Sequence, residues 1–203
     1  MTEARRRSLG VMAAGIATFL NMYAIQAVLP LIATDFAASA QAAAWGITAT
    51  LVAVAGVAPF VGSISDMLGR KRLIVGAAMA LVAPCVLAAL APSLIWLVVW
   101  RFVQGLTLPF IFTVTIAYVG DETEGADTVR LAGTYSVGTI IGGFAGRMLT
   151  GLIAEQAGWR VAFLVLAGLT AVAAALIAVL LPAEREFHPV RGLAIRCGAS
   201  PGT

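Results

Sequence analysis

Gly62-Ser63-Ile64-Ser65-Asp66-Met67-Leu68-Gly69-Arg70-Lys71-Arg72 is the stretch whose reading decides the fold. It lies between two long apolar runs and carries the densest charge in the first half of the chain. Apolar runs of this length cross hydrocarbon, and a short charged turn between them stays in water. Counting outward from this turn gives six such runs.

Composition agrees with lipid as the solvent. Of 203 residues, 61% are hydrophobic and only 11% charged, with a mean hydropathy of +0.97. A soluble domain carries about 25% charged residues, so this chain cannot cover a water-facing surface. The net charge of +3 is too small, and too scattered, to point to nucleic acid. Cys85 sits in an apolar run and Cys197 in the tail, which is no spacing for a metal site or a disulfide framework. The single histidine, His188, excludes a His-based triad or a multi-His metal site. No cofactor is expected, and with no paired carboxylates and no nucleophile beside a base, neither is an enzyme. Arg5-Arg6-Arg7 before an apolar stretch resembles a signal peptide. No small-residue cleavage site closes that stretch and five more runs follow, so the arginines read as a cytoplasmic anchor.

The expected spans are 9–31, 44–64, 73–90, 94–118, 131–153 and 160–181, each near the 20 residues that cross a bilayer core at about 1.5 Å per residue. Residues 1–8 form the N-terminal segment and 9–182 the six-helix transmembrane domain. Residues 183–203 read as a linker start and a tail without helical period. Ten basic residues fall on one side of this arrangement: Arg5, Arg6, Arg7, Arg70, Lys71, Arg72, Arg130, Arg185, Arg191 and Arg196. Only Arg160 falls on the other. The positive-inside rule then puts both termini and the opening turn in the cytoplasm. Trp45, Trp96, Trp100 and Trp159 all fall at the opposite side, where indole rings favour the membrane–water interface.

The opening turn has an echo. Gly62-x-Ile64-x-Asp66-x-x-Gly69 recurs as Gly151-x-Ile153-x-Glu155-x-x-Gly158, at a constant offset of 89 residues. Three spans separate the copies, so they lie on opposite sides of the membrane. That is an inverted repeat of three helices plus three, in an all-α integral membrane fold.

These residues carry a family resemblance. Gly62-x-x-x-Asp66-x-x-Gly69-Arg70-Lys71 resembles the signature loop between the second and third helices of the major facilitator superfamily. Ile64, Ser65 and Met67 depart from that pattern. Arg101-x-x-Gln104-Gly105 is similar to the family's Arg-x-x-Gln-Gly motif, and Gln26-Ala27-Val28-Leu29-Pro30 to the end of the first helix in drug-efflux members. Gly138-x-x-x-Gly142-Gly143-x-x-Gly146-Arg147 resembles the antiporter motif, with Gly143 in place of its Pro and Arg147 in place of its last Gly. Trp159-Arg160-x-x-Phe163 matches the usual opening of the sixth helix. The resemblance covers roughly residues 10 to 190 and is nearest to bacterial arabinose-efflux-like members.

The resemblance implies half of a twelve-helix transporter. The partners it implies are the lipid bilayer, a small-molecule substrate and a second six-helix half, in the bacterial inner membrane. It also implies a latch at the opening loop, built from Gly62, Asp66, Gly69, Arg70 and Lys71, with Asp121 and Glu122 competing for Arg70. The bottom-up alternative is that Arg70 to Arg72 only set topology. Arg101, several residues inside a span, is a functional-site hypothesis by default. Gln104 shares its helix face. Together they bind a polar or anionic substrate group or respond to proton release; otherwise Arg101 snorkels to the interface beside Trp100. Asn21, Tyr23 and Gln26 in the first span are either substrate or coupling residues or helix–helix hydrogen-bonding groups. Gly138, Gly142 and Gly146 form a small-residue face for close helix packing. Arg147 is a second intramembrane cation, with Asp35 as its candidate partner. The expected function is efflux-type secondary transport by an N-terminal half, the chain being a truncated product. The alternatives are a half-size unit working as a homo- or heterodimer and a non-transporting membrane fragment.

Overall fold

The computed structural model describes residues 2–182, all of whose regular structure is helical. The elements are α1 (Glu3–Ala24), a 3-10 turn (Ile25–Val28), α2 (Leu29–Asp35), α3 (Ala40–Leu68), α4 (Arg70–Ala89), α5 (Leu94–Glu122), α6 (Ala126–Ala157) and α7 (Trp159–Leu180). α1, the 3-10 turn and α2 form one interrupted helix, so among the described residues there are six helical segments long and apolar enough to cross a membrane. Residues 183–203, expected to hold the linker start and tail, lie outside the described residues.

Most helices outrun the apolar stretches that announced them. α3 continues to Leu68, and α5 runs on through Asp121 and Glu122. α6 starts at Ala126 rather than near residue 131. Backbone hydrogen bonding does not stop where hydropathy falls. A 29-residue helix is about 44 Å long against a hydrocarbon core of about 30 Å, so its polar ends stand clear of the core.

The first span breaks for a local reason. Pro30 is in the first turn of α2. A proline has no N–H to donate, and its ring crowds the carbonyl four residues back, here that of Gln26. The chain tightens into 3-10 geometry just ahead of it, over Ile25–Val28.

The opening turn and its echo share one conformation. Gly69 has φ 86° and ψ 138°, and Gly158 has φ 86° and ψ 159°. This region is nearly closed to residues with a Cβ. Each glycine ends one helix by donating its N–H, to Ser65 O and to Ala154 O, at 3.0 Å in both cases. Each then starts the next by accepting, from Leu73 N at 3.1 Å and Ala162 N at 3.2 Å. All three positions differ by 89 residues.

Packing repeats the symmetry. α1 packs chiefly on α6, and α3 on α5. Exchanging the first three spans for the last three turns one of these pairs into the other. A Cβ on Gly105 would collide with the Thr50 carbonyl. A Cβ on Gly15 would come within 3.1 Å of Thr139 N, and Thr139 is 89 residues from Thr50. The interior is two apolar clusters, one with Leu81, Leu108, Ile111 and Tyr118, the other with Ile25, Leu97, Trp159 and Phe163. Outward, α3 exposes Leu51, Val52 and Phe60, and α6 exposes Ile140 and Phe144. Surfaces this apolar need lipid or another helical layer around them. Trp159 does not join Trp45 and Trp96 at the surface: it is buried against Phe36 and Phe163, and its indole N–H donates to Asp35 at 3.1 Å.

Candidate functional site

On α5, Arg101 lies between Leu97 of one apolar cluster and Leu108 of the other, and it is only 1% exposed. It points inward instead of snorkelling beside Trp100. Its Nη1 donates to Gln104 Oε1 at 2.5 Å and to the Asn21 carbonyl at 3.1 Å. Longer contacts reach the carbonyls of Gly46 and Met22, both at 3.4 Å. One guanidinium thus ties α1, α3 and α5 together. The helix spacing of Arg101 and Gln104 puts them on one face, so the amide can hold the fork.

No carboxylate among the described residues pairs with Arg101. Its charge is met by carbonyl and amide dipoles, an arrangement that binds the cation while leaving it uncancelled. The Asn21 side chain extends the cluster. Its Nδ2 donates to Thr170 Oγ1 and to the Ala17 carbonyl, both at 2.8 Å. The Cys85 thiol donates to Asn21 Oδ1 at 2.9 Å. Cys85 and Thr170 had no signal in the sequence: each is a small residue in an apolar run, and contact with Asn21 is what gives it a role. Asn21 here makes helix–helix hydrogen bonds, one of its two expected readings.

At one end of the bundle the charges form two clasps. Arg70 meets Asp121 at 2.5 Å and Asp66, on its own turn, at 3.8 Å. Glu122 has an ion pair of its own on a different neighbour. It pairs with Arg7 at 3.4 Å, and Arg7 also meets Glu3 at 3.1 Å. The reason is helical geometry: consecutive residues on α5 are about 100° apart, so Asp121 and Glu122 face different neighbours. Arg7 is buried, at 7% exposure, so what reads as an anchor in the sequence packs into the fold. Gly62 is exposed, and a Cβ there would meet nothing within 4 Å. Lys71 follows Arg70 at the start of α4.

A third constellation was not assembled from the sequence. Gly138, Gly142 and Gly146 set α6 directly on the α1 backbone: an added Cβ at each would lie 2.5 Å from the carbonyls of Met12, Ile16 and Leu20, respectively. This approach brings Arg147 to the break in the first span. Arg147 Nε donates to Gln26 Oε1 at 2.8 Å, and its guanidinium carbon lies 4.2 Å from the centre of the Tyr23 ring. Asp35, expected as the partner of Arg147, instead pairs with Arg160 and Trp159. Those two residues open α7, beside the end of α2, whereas Arg147 lies nearly three turns before the end of α6.

Known proteins resemble the chain in sequence and in fold. An MFS-type transporter from Bacillus subtilis, YybF, is 29% identical over 185 residues, covering 91% of this chain and 46% of that protein. A lincomycin resistance protein from Streptomyces lincolnensis is 31% identical over 176 residues, covering 85% of this chain and 35% of that protein. The chain therefore spans less than half the length of either relative. Among solved structures, the POT family transporter PepTSo superposes with a TM-score of 0.74 at 16% identity, over 86% of this chain and 37% of that chain, which is a likeness of fold. The family model described as Major Facilitator Superfamily matches residues 11–195, and with the inverted three-plus-three packing in place the chain belongs to that superfamily.

Proposed function

We propose that the chain supplies the N-terminal six-helix half of an efflux-type secondary transporter for a small organic molecule. Its place is the bacterial inner membrane, with both termini cytoplasmic. The observation that carries this reading is the fully buried Arg101, which joins three spans without a carboxylate partner among the described residues. A buried, uncancelled cation is costly to keep in a membrane bundle and marks a transport or coupling element. The lincomycin resistance relative supports export over import. The positive-inside bias supports the orientation.

Transport by alternating access uses two bundles that rock about a central site. The exposed apolar faces of α3 and α6 are the surfaces this chain offers to a second bundle. The Arg70, Asp66 and Asp121 group sits at the end of α3, where such a bundle would close. Arg70 Nη1 is buried and without a hydrogen-bond partner among the described residues. Gly69 and Lys71 belong to the same turn. Asn21, Gln104 and Arg101 form the coupling core, and Tyr23 and Gln26 lie on the substrate path.

The test is accumulation of a panel of anionic, neutral and cationic fluorescent dyes in an efflux-deficient bacterium expressing the chain, with crosslinking in the membrane to read its assembly. Lower accumulation than vector-only cells, lost in Arg101→Ala, supports the proposal. A crosslinked dimer with activity identifies the second bundle as another copy. Accumulation equal to vector across the panel, with the chain inserted and dimeric, overturns it.

A further inference from the structure

Arg147 lies well inside the apolar run of residues 131–153, and it is exposed. An arginine at such a depth normally pairs with an acid, snorkels to the interface, or faces a polar path. The first is ruled out among the described residues, since no ion pair includes Arg147. The second does not fit the contacts. Gln26 holds Nε at 2.8 Å and Tyr23 lies under the guanidinium at 4.2 Å, so the head group is tethered to the neighbouring span.

Both partners are neutral, so the positive charge remains uncancelled. They also fix the fork in two ways: the Gln26 bond sets its in-plane rotation and the Tyr23 ring sets its tilt. Among the described residues the two terminal nitrogens have no hydrogen-bond partner. The edge formed by those nitrogens is the one that meets a carboxylate with two parallel bonds. The site also sits at an interruption: Gln26 belongs to the 3-10 turn Ile25–Val28. Broken helices inside a membrane fold are where transported ligands bind. Gly143 completes the fit, because a Cβ there would come 3.2 Å from the Tyr23 ring and crowd it. Phe19, its ring centre 6.0 Å from that of Tyr23, adds an apolar surface beside the charge.

We infer that Arg147, oriented by Gln26 and Tyr23, binds the carboxylate of the transported molecule, which is a small organic anion with an apolar body. This rests on the transporter reading above. An amine of the same shape meets the guanidinium as a like charge and is rejected.

The experiment uses the chain in zwitterionic lipid nanodiscs and three matched fluorescent probes: 2-naphthoate, 2-naphthamide and 2-naphthylmethylamine. Binding is read as fluorescence anisotropy, with empty nanodiscs subtracted. Naphthoate is expected to bind saturably, and the amide and amine about tenfold more weakly or worse, about 1.4 kcal/mol. Arg147→Gln should abolish the preference, and Arg147→Lys and Gln26→Leu should reduce it. Unliganded thermal unfolding reports whether each variant is folded; if Arg147→Gln is not, the other two variants carry the test. Equal binding of naphthoate and naphthamide overturns the inference, as does unchanged naphthoate preference in the folded variants. Binding is read without transport, so carboxylate selectivity in a chain that moves nothing keeps the site and removes the transporter reading. Transport without carboxylate-selective binding does the reverse.

Discussion

The guanidinium of Arg70 lies 2.5 Å from the carboxylate of Asp121, on α5, and 3.8 Å from that of Asp66, one turn away on α3. Both carboxylates are 56% exposed. Exposed ion pairs contribute little to stability, about 0–1 kcal/mol, and we propose that the cluster acts instead as a latch at the turn between α3 and α4. Asp66→Asn should therefore leave insertion and unfolding almost unchanged while abolishing transport by the assembled transporter. Dye efflux from cells, set beside the amount of chain in the membrane, checks this. Normal efflux with Asn at this position would remove the latch role.

Arg101→Ala should destabilise the bundle by about 2–4 kcal/mol, because it strips the Gln104 amide of its partner and opens a cavity among α1, α3 and α5. Arg101→Lys keeps the charge but not the fork and should recover only part of that loss. Denaturant unfolding in mild detergent reads both. Equal stability of wild type and Arg101→Ala would mean that the buried network does not hold the spans together.

Glycines in the same helix family should respond in opposite ways. Gly142→Ala forces a methyl against the Ile16 carbonyl and should cost about 1–3 kcal/mol through overpacking. Gly62→Ala meets open space inside a helix and should stabilise by about 0.5–1 kcal/mol from helix propensity. Thermal unfolding of the two single variants gives the sign directly. A destabilised Gly62→Ala would show that something outside the described residues packs there.

The inverted repeat makes a paired prediction. Gly69→Ala and Gly158→Ala each place a Cβ at φ 86° and should each cost about 1–3 kcal/mol. Since an added Cβ at Gly158 would meet nothing within 4 Å, the cost there is backbone strain alone. Unfolding midpoints of both variants test it, and a loss at only one glycine would break the equivalence of the two turns.

The six spans were legible because hydropathy acts locally: any run of some 20 apolar residues between charged turns announces itself. The repeat was legible for the same reason, since Gly69 and Gly158 are both demanded by their own turns. Helix ends were less so, because α5 and α6 keep their backbone hydrogen bonds beyond the apolar limit. Arg101 and Gln104 could be joined from spacing alone, being three apart on one helix. Gln26 and Arg147 could not, because 121 residues separate them and only the glycine-lined approach of α6 to α1 brings them together. The error over Asp35 has the same origin. From sequence it was a candidate partner for Arg147 on the outer side, while the fold sets it at the start of α7, against Arg160.

We propose that this bundle, as one half of a transporter, takes part in moving small molecules across the membrane through an element that includes Arg101. Everted inner-membrane vesicles carrying the chain test it most directly, scored for energy-dependent uptake of a panel of anionic, neutral and cationic dyes. Uptake of at least one dye above vesicles carrying Arg101→Ala, at equal amounts of inserted chain, is the expected result. Equal uptake in both vesicle types for every dye would contradict it.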